Sequence, residues 1–239
     1  MNYLIPNKII KDMKSHASVA RKVSNMRFFK TAIGEYGYGD TFIGVTVPNT
    51  RMVARKYYND IELVDIEYLL NNAIHELRLV ALIILSMKFA SAQSDSERKK
   101  YYTFYFKNRS RINNWDLVDT SAPKIVGQYI IDNPNQEKVL YRLATSQNIW
   151  DKRIAIVSTL ALIQSGNYAP TVKLSELFLN EDHDLLHKAC GWMLREVGKR
   201  SMPTLLSFLK QHAQRMPRTM LRYSIEHFSI SERAYWMQK

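Results

Sequence analysis

Cysteine is nearly missing from this chain of 239 residues, with Cys190 the one example. An internal disulfide is therefore excluded, and a reducing cytosol is the expected compartment. Turn formers are sparse as well, at 8 Gly and 7 Pro, which argues against a sandwich of many short strands. Apolar runs are short. The longest nearly unbroken one, Leu79 to Met87, spans 9 residues and contains Ser86, whereas a membrane span needs about 20. No apolar stretch follows Lys8, Lys11, Asp12 and Lys14, so neither a signal peptide nor a membrane partner is expected. Acid is the minority charge: 22 Asp plus Glu stand against 34 Lys plus Arg, a net charge of +12.

What is present suits a packed protein. Hydrophobic residues make up 46% and charged residues 23%, which excludes a largely disordered chain. A folded chain this basic suits a polyanionic partner, most often nucleic acid; the alternative is a basic surface that serves only solubility. The apolar spacing is helical nearly throughout. Leu77, Val80, Ala81, Ile84 and Leu85 recur at three and four, as do Ile154, Val157, Leu160 and Ala161, and only Phe42 to Val47 hints at strand alternation. Pro48, Pro123, Pro134, Pro170, Pro203 and Pro217 punctuate the helical segments. The run from Gly34 to Asp40 has its glycines in the wrong order for a dinucleotide fingerprint and reads as a flexible loop.

The helices also recur. Aligning Arg78, Trp115, Arg153, Ala189 and Arg222 gives steps of 37, 38, 36 and 33 residues, near the period of HEAT and tetratricopeptide helix pairs. The expected fold is all-α, a right-handed superhelical α-solenoid of HEAT-like helix pairs forming one domain over residues 1–239.

Two segments could carry chemistry. On the helix expected from about Asp184 to Arg200, Lys188, Trp192, Arg195 and Lys199 fall within about 60° of arc. Cations can meet phosphates and an exposed indole can lie against sugars or bases; a solvated basic face with Trp192 tucked between helices is the plainer alternative. Lys152 with Arg153, and Arg218 with Arg222, echo the pattern. In the second segment, from Asn113 to Asp119, Asn113 reads as an N-cap and Asp116 as its capping-box acid. Asp119 lies one turn past Trp115 on the same face. It could pair with Arg153 or Arg111, or stabilise a positive charge that develops during a reaction. His183, His187 and Cys190 share a face, but with no CxxC or His-rich partner they are not read as a metal site. No P-loop, HExxH or Ser-His-Asp order appears.

Several stretches resemble the HEAT-repeat DNA alkylation repair glycosylases, the AlkD-like family. They are Phe28 to Thr31, Gly34 to Asp40, INNWDLVDTSAPKIVG from Ile112, WDKRIAIVST from Trp150, DHDLLHKACGWMLREVGKR from Asp182 and MPRTMLRYSIE from Met216. Cys190 departs from the aliphatic residue expected there. The resemblance implies a solenoid that cradles duplex DNA in a basic groove and removes cationic N7- and N3-alkylated purines, without swinging the base into a pocket. It implies Asp119 as the catalytic carboxylate, Trp115 and Trp192 as paired aromatics at the lesion-bearing sugar, and Arg153 as a backbone-binding arginine. Lys152, Lys188, Arg195, Lys199, Arg218 and Arg222 complete the expected DNA-binding set. No metal or organic cofactor is called for, and a monomer at the nucleoid of a bacterial cytoplasm is expected. A non-catalytic binder of unusual or branched DNA is the alternative within the fold, and a helical scaffold for proteins the alternative outside it.

Overall fold

The computed structural model describes residues 3–238. No strand forms among them; the nearest approach is an isolated parallel bridge between Thr41 and Ile74. The chain divides into two compact units, Met1–Ser121 and Ala122–Lys239. The first carries α1 (Leu4–Ser15), α2 (Val19–Phe28), α3 (Val47–Tyr57), α4 (Leu63–Leu70), α5 (His75–Ser91), α6 (Asp95–Lys107) and α7 (Trp115–Ala122). The second carries α8 (Gln128–Asp132), α9 (Lys138–Ala144), α10 (Ile149–Gln164), α11 (Ala169–Leu177), α12 (Asp184–Gly198), α13 (Met202–His212), α14 (Arg218–Ser224) and α15 (Ile230–Gln238).

Proline works as a starter. Pro48, Pro170 and Pro203 sit in the first turns of α3, α11 and α13, where the missing N–H has no intrahelical partner to lose. The five residues aligned at steps of 33 to 38 fall on α5, α7, α10, α12 and α14. Each unit has one helix at its centre. α5 is buried without a break from His75 to Ser86 and packs against α3, α4 and α6. α10 takes that place in the second unit, buried from Arg153 to Thr159 and packed against α9, α11 and α12. α12 also meets α14 closely: a Cβ on Gly191 would come within 2.5 Å of the Met220 carbonyl oxygen.

The segment from Gly34 to Thr46 is irregular but tied down. Glu76, at the start of α5 and 2% exposed, accepts from the backbone N–H groups of Ile43, Gly44 and Val45, the shortest at 2.8 Å from Gly44. Gly44 has φ +81°, and a Cβ there would lie 2.1 Å from the Ser18 carbonyl oxygen. The loop therefore passes directly against the start of α2. That close approach places Phe42 and Asp40 beside α5.

Candidate active site

A cleft of about 380 Å³ opens in the first unit. Phe28 and Phe29 from the end of α2, Phe42 from the loop, His75 from α5, and Trp115, Asp116 and Asp119 from α7 line it. Its aromatic wall is a stack. His75 lies on Phe42 with ring centroids 4.6 Å apart, Phe29 is 5.0 Å from both, and Trp115 lies on Phe29 at 5.1 Å and 21°. Phe28 meets Trp115 edge-on at 5.6 Å.

Beneath the stack runs a buried charged chain. Asp40, His75 and Arg78 are all buried, and His75 is 1% exposed. The Asp40 carboxylate accepts from Arg78 Nη2 at 2.6 Å and faces His75 Nδ1 at 3.0 Å. On the other side of the ring, His75 Nε2 lies 2.7 Å from Asp116 Oδ2. Asn114 donates to Asp40 at 3.3 Å. Burial pushes the His75 imidazole down, but Asp116 and then Asp40 outweigh burial and the Arg78 charge, so its pKa rises to about 9. Burial also works against ionisation of Asp40, yet the His75 and Arg78 bonds hold its carboxyl below the usual range. His75 is therefore an imidazolium at neutral pH, donating from both nitrogens.

This geometry changes the reading of α7. Asn114, not Asn113, precedes the helix: its carbonyl accepts from Val118 N–H and its Oδ1 from Trp115 N–H at 2.8 Å. Asp116 closes no capping box with Asn113; its carboxylate turns to His75, and its side chain is only 14% exposed. Asp119 and Trp115 line the same cleft, as their one-turn spacing requires.

In the second unit, the expected DNA contacts are spread among several environments. Arg153 is buried on α10, and its Nη1 donates to the Leu185 carbonyl at 2.5 Å. Lys152 pairs with Glu181 at 2.5 Å. On α12, Lys188 pairs with Asp184 at 2.7 Å, Lys199 with Glu196 at 2.7 Å, and Arg195 with Glu226. Trp192 is half-buried on the same helix. Arg218 is exposed and donates to the Met237 carbonyl, while Arg222 is exposed on α14. The stripe of cations read from sequence is thus a mixed-charge face. His183 caps the N-terminus of α12, His187 bonds the Glu181 carbonyl at 2.5 Å, and burial pushes the Cys190 thiol pKa up. Among the described residues, no group of three or more His, Cys, Asp or Glu is placed to hold a metal, and no helix is long and apolar enough to cross a membrane.

Sequence reasoning missed Asp40, His75, Glu76, Arg78 and Phe29 as site builders. The available signal was two charged groups, His75 and Arg78, set one turn apart at the head of the helix with the longest apolar run, where solvation cannot serve them.

Comparison with known proteins bears on the fold and the family. A solved structure described as a predicted DNA alkylation repair enzyme from Enterococcus faecalis is similar with a TM-score of 0.70. The likeness covers 90% of this chain and 98% of that one at 16% identity, and so shows a shared fold. No curated protein matches the sequence. The sequence profile of DNA alkylation repair enzymes matches residues 9–228, so the chain belongs to the DNA alkylation repair enzyme family.

Proposed function

We propose that this DNA alkylation repair protein is a glycosylase that hydrolyses the N-glycosidic bond of cationic N7- and N3-alkylated purines, such as 7-methylguanine and 3-methyladenine, in duplex DNA. The observation that carries this reading is the pairing of Asp119 and Trp115 in one aromatic cleft, on a helix whose first turn is fixed by buried charge.

The chemistry needs little more. An alkylated purine is already positive, so it departs as a neutral base with little help from a general acid. The sugar left behind is an oxocarbenium-like cation that a water must capture. Ordinary glycoside hydrolysis divides this work between two carboxylates; with a cationic leaving group, Asp119 alone can oppose the sugar charge and orient the water. The face of Trp115 adds cation–π attraction. Trp192 and the cations Lys152, Arg153, Lys188, Arg195, Lys199, Arg218 and Arg222 are proposed as further contacts to the DNA. Several of these exchange a carboxylate or carbonyl partner for phosphate on binding.

The test is direct. Purified protein is incubated with a duplex carrying 7-methylguanine, and released bases are separated by chromatography. Free 7-methylguanine, released far more slowly by Asp119→Asn, is expected. Salt-sensitive DNA binding without any base release would replace this reading with that of a non-catalytic DNA binder.

A further inference from the structure

The aromatic of the cleft is gripped on both sides along the chain and through its ring. Asn114, before Trp115, donates to Asp40. Asp116, after it, bonds His75. The indole itself stacks on Phe29, which in turn meets the His75 ring at 5.0 Å. Asp40 and His75 bond each other at 3.0 Å. The three routes to Trp115 therefore converge on one pair of side chains from a distant loop and helix. A buried ionic array costs desolvation that a well-packed apolar group would not; its return here is orientation.

We propose that His75, bridging Asp40 and Asp116, is a positioning residue that sets Trp115 and the first turn of α7 for excision. The claim about excision rests on the glycosylase reading; the claim about Trp115 does not. The charged groups facing His75 are Asp40 from the loop, Asp116 from α7 and Arg78 one turn along α5, while the adjacent Glu76 is engaged by backbone N–H groups. Loss of the His75 proton removes one of its two donors, so the grip on one carboxylate fails and the indole can shift.

The experiment labels the 4 tryptophans with 5-fluorotryptophan and follows their fluorine resonances with pH. Trp115→Phe assigns its signal. In the parent protein, the Trp115 resonance should move with an inflection near pH 9, and His75→Gln should shift that resonance at neutral pH and abolish the inflection. In the same variant, single-turnover release of 7-methylguanine should fall about tenfold or more, since small misplacements at a reacting centre are costly, with duplex affinity within about twofold. A Trp115 signal indifferent to His75→Gln overturns the proposal. So does a rate that falls only in proportion to the folded fraction lost. If His75→Gln does not fold, Asp40→Asn, which keeps the bond to Asp116, must still shift Trp115, or the proposal fails. A parent protein that releases no base ends the glycosylase reading and leaves the fluorine measurement to decide the positioning of Trp115.

Discussion

Raising the pH should destabilise the first unit by an amount set largely by one side chain. His75 titrates near 6.5 when free and near 9 in the folded chain. Below pH 6.5 both folded and unfolded chains hold its proton, and the full benefit of the two carboxylate bonds is present. Between 6.5 and 9 the unfolded chain releases the proton while the folded chain keeps it, so stability declines at up to about 1.4 kcal/mol per pH unit. Above 9 the contribution is gone. The whole span amounts to about 3 kcal/mol; because the ring is buried, solvent screening does not reduce it much. Cys190 adds loss of the same sign in the second unit: its buried thiol is held neutral in the fold, while the unfolded thiol ionises at alkaline pH. Both arms of the assay therefore carry Cys190→Ala. Urea unfolding followed by tryptophan fluorescence from pH 6 to 9.5 should show a decline of about 3 kcal/mol in the His75 arm that is absent from the His75→Gln arm. Parallel curves, or a His75 arm that loses less than about 1 kcal/mol, would refute the assignment of an imidazolium between Asp40 and Asp116.

Asp119→Asn should slow single-turnover release of 7-methylguanine by about 10² or more while duplex affinity holds or improves, since it removes the charge opposing the sugar cation; full activity sinks the catalytic assignment. Asp116→Asn should lower stability by about 2 kcal/mol because it weakens a buried ion pair, besides loosening the hold on Trp115, and a thermal midpoint unchanged from the parent would contradict that. Gly44→Ala should cost about 2 kcal/mol or more, from a left-handed φ and a Cβ forced onto the Ser18 carbonyl; an unaltered melting curve would mean the loop does not press on α2. Arg222→Ala should lower the salt slope of duplex binding by about one contact's share, whereas an identical slope would remove Arg222 from the DNA-binding set.

The helical architecture is legible in the sequence because its cause is local. Apolar residues three and four apart, and prolines in first turns, say helix without reference to the rest of the chain. Trp115 and Asp119 were legible for the same reason, one turn apart on one helix. The buried array was not, because its members meet across the chain: Asp116 bonds a residue 41 positions away, and Asn114 bonds one 74 away. A local reading therefore makes Asn113 the N-cap, where Asn114 serves, and Asp116 its capping-box acid, where the carboxylate bonds His75. On α12, one cation likewise has a partner that a local reading does not reach. Lys188, Arg195 and Lys199 line up by periodicity, but Glu226, which pairs with Arg195, lies 31 residues beyond it on a different element. A window that sees one helix misses that acid, although Asp184 and Glu196, which pair with Lys188 and Lys199, lie on α12 itself.

Under the proposed function, the carboxylates around the cleft show how a protein of net charge +12 can hold acid near DNA. Asp40 and Asp116 are balanced by His75 and Arg78, so that group of four sums to zero at neutral pH. Glu76 is directed at three backbone N–H groups and serves the loop. Each of these acids is answered at short range, Asp116 through one oxygen and a His75 ring that it shares with Asp40, and a balanced buried group projects little field into the cleft. Asp119 stands on the same helix, facing the same cleft. In the proposed reaction, phosphate passing the site meets little repulsion from Asp40, Glu76 or Asp116, while a positive charge arising beside Asp119 meets a carboxylate on a helix whose first turn is held by buried charge. Affinity for the polyanion and stabilisation of the cation conflict if charge is merely added up over the surface. They become compatible when the supporting acids are neutralised by buried cations and donors and Asp119, the acid proposed to react, stands in the cleft.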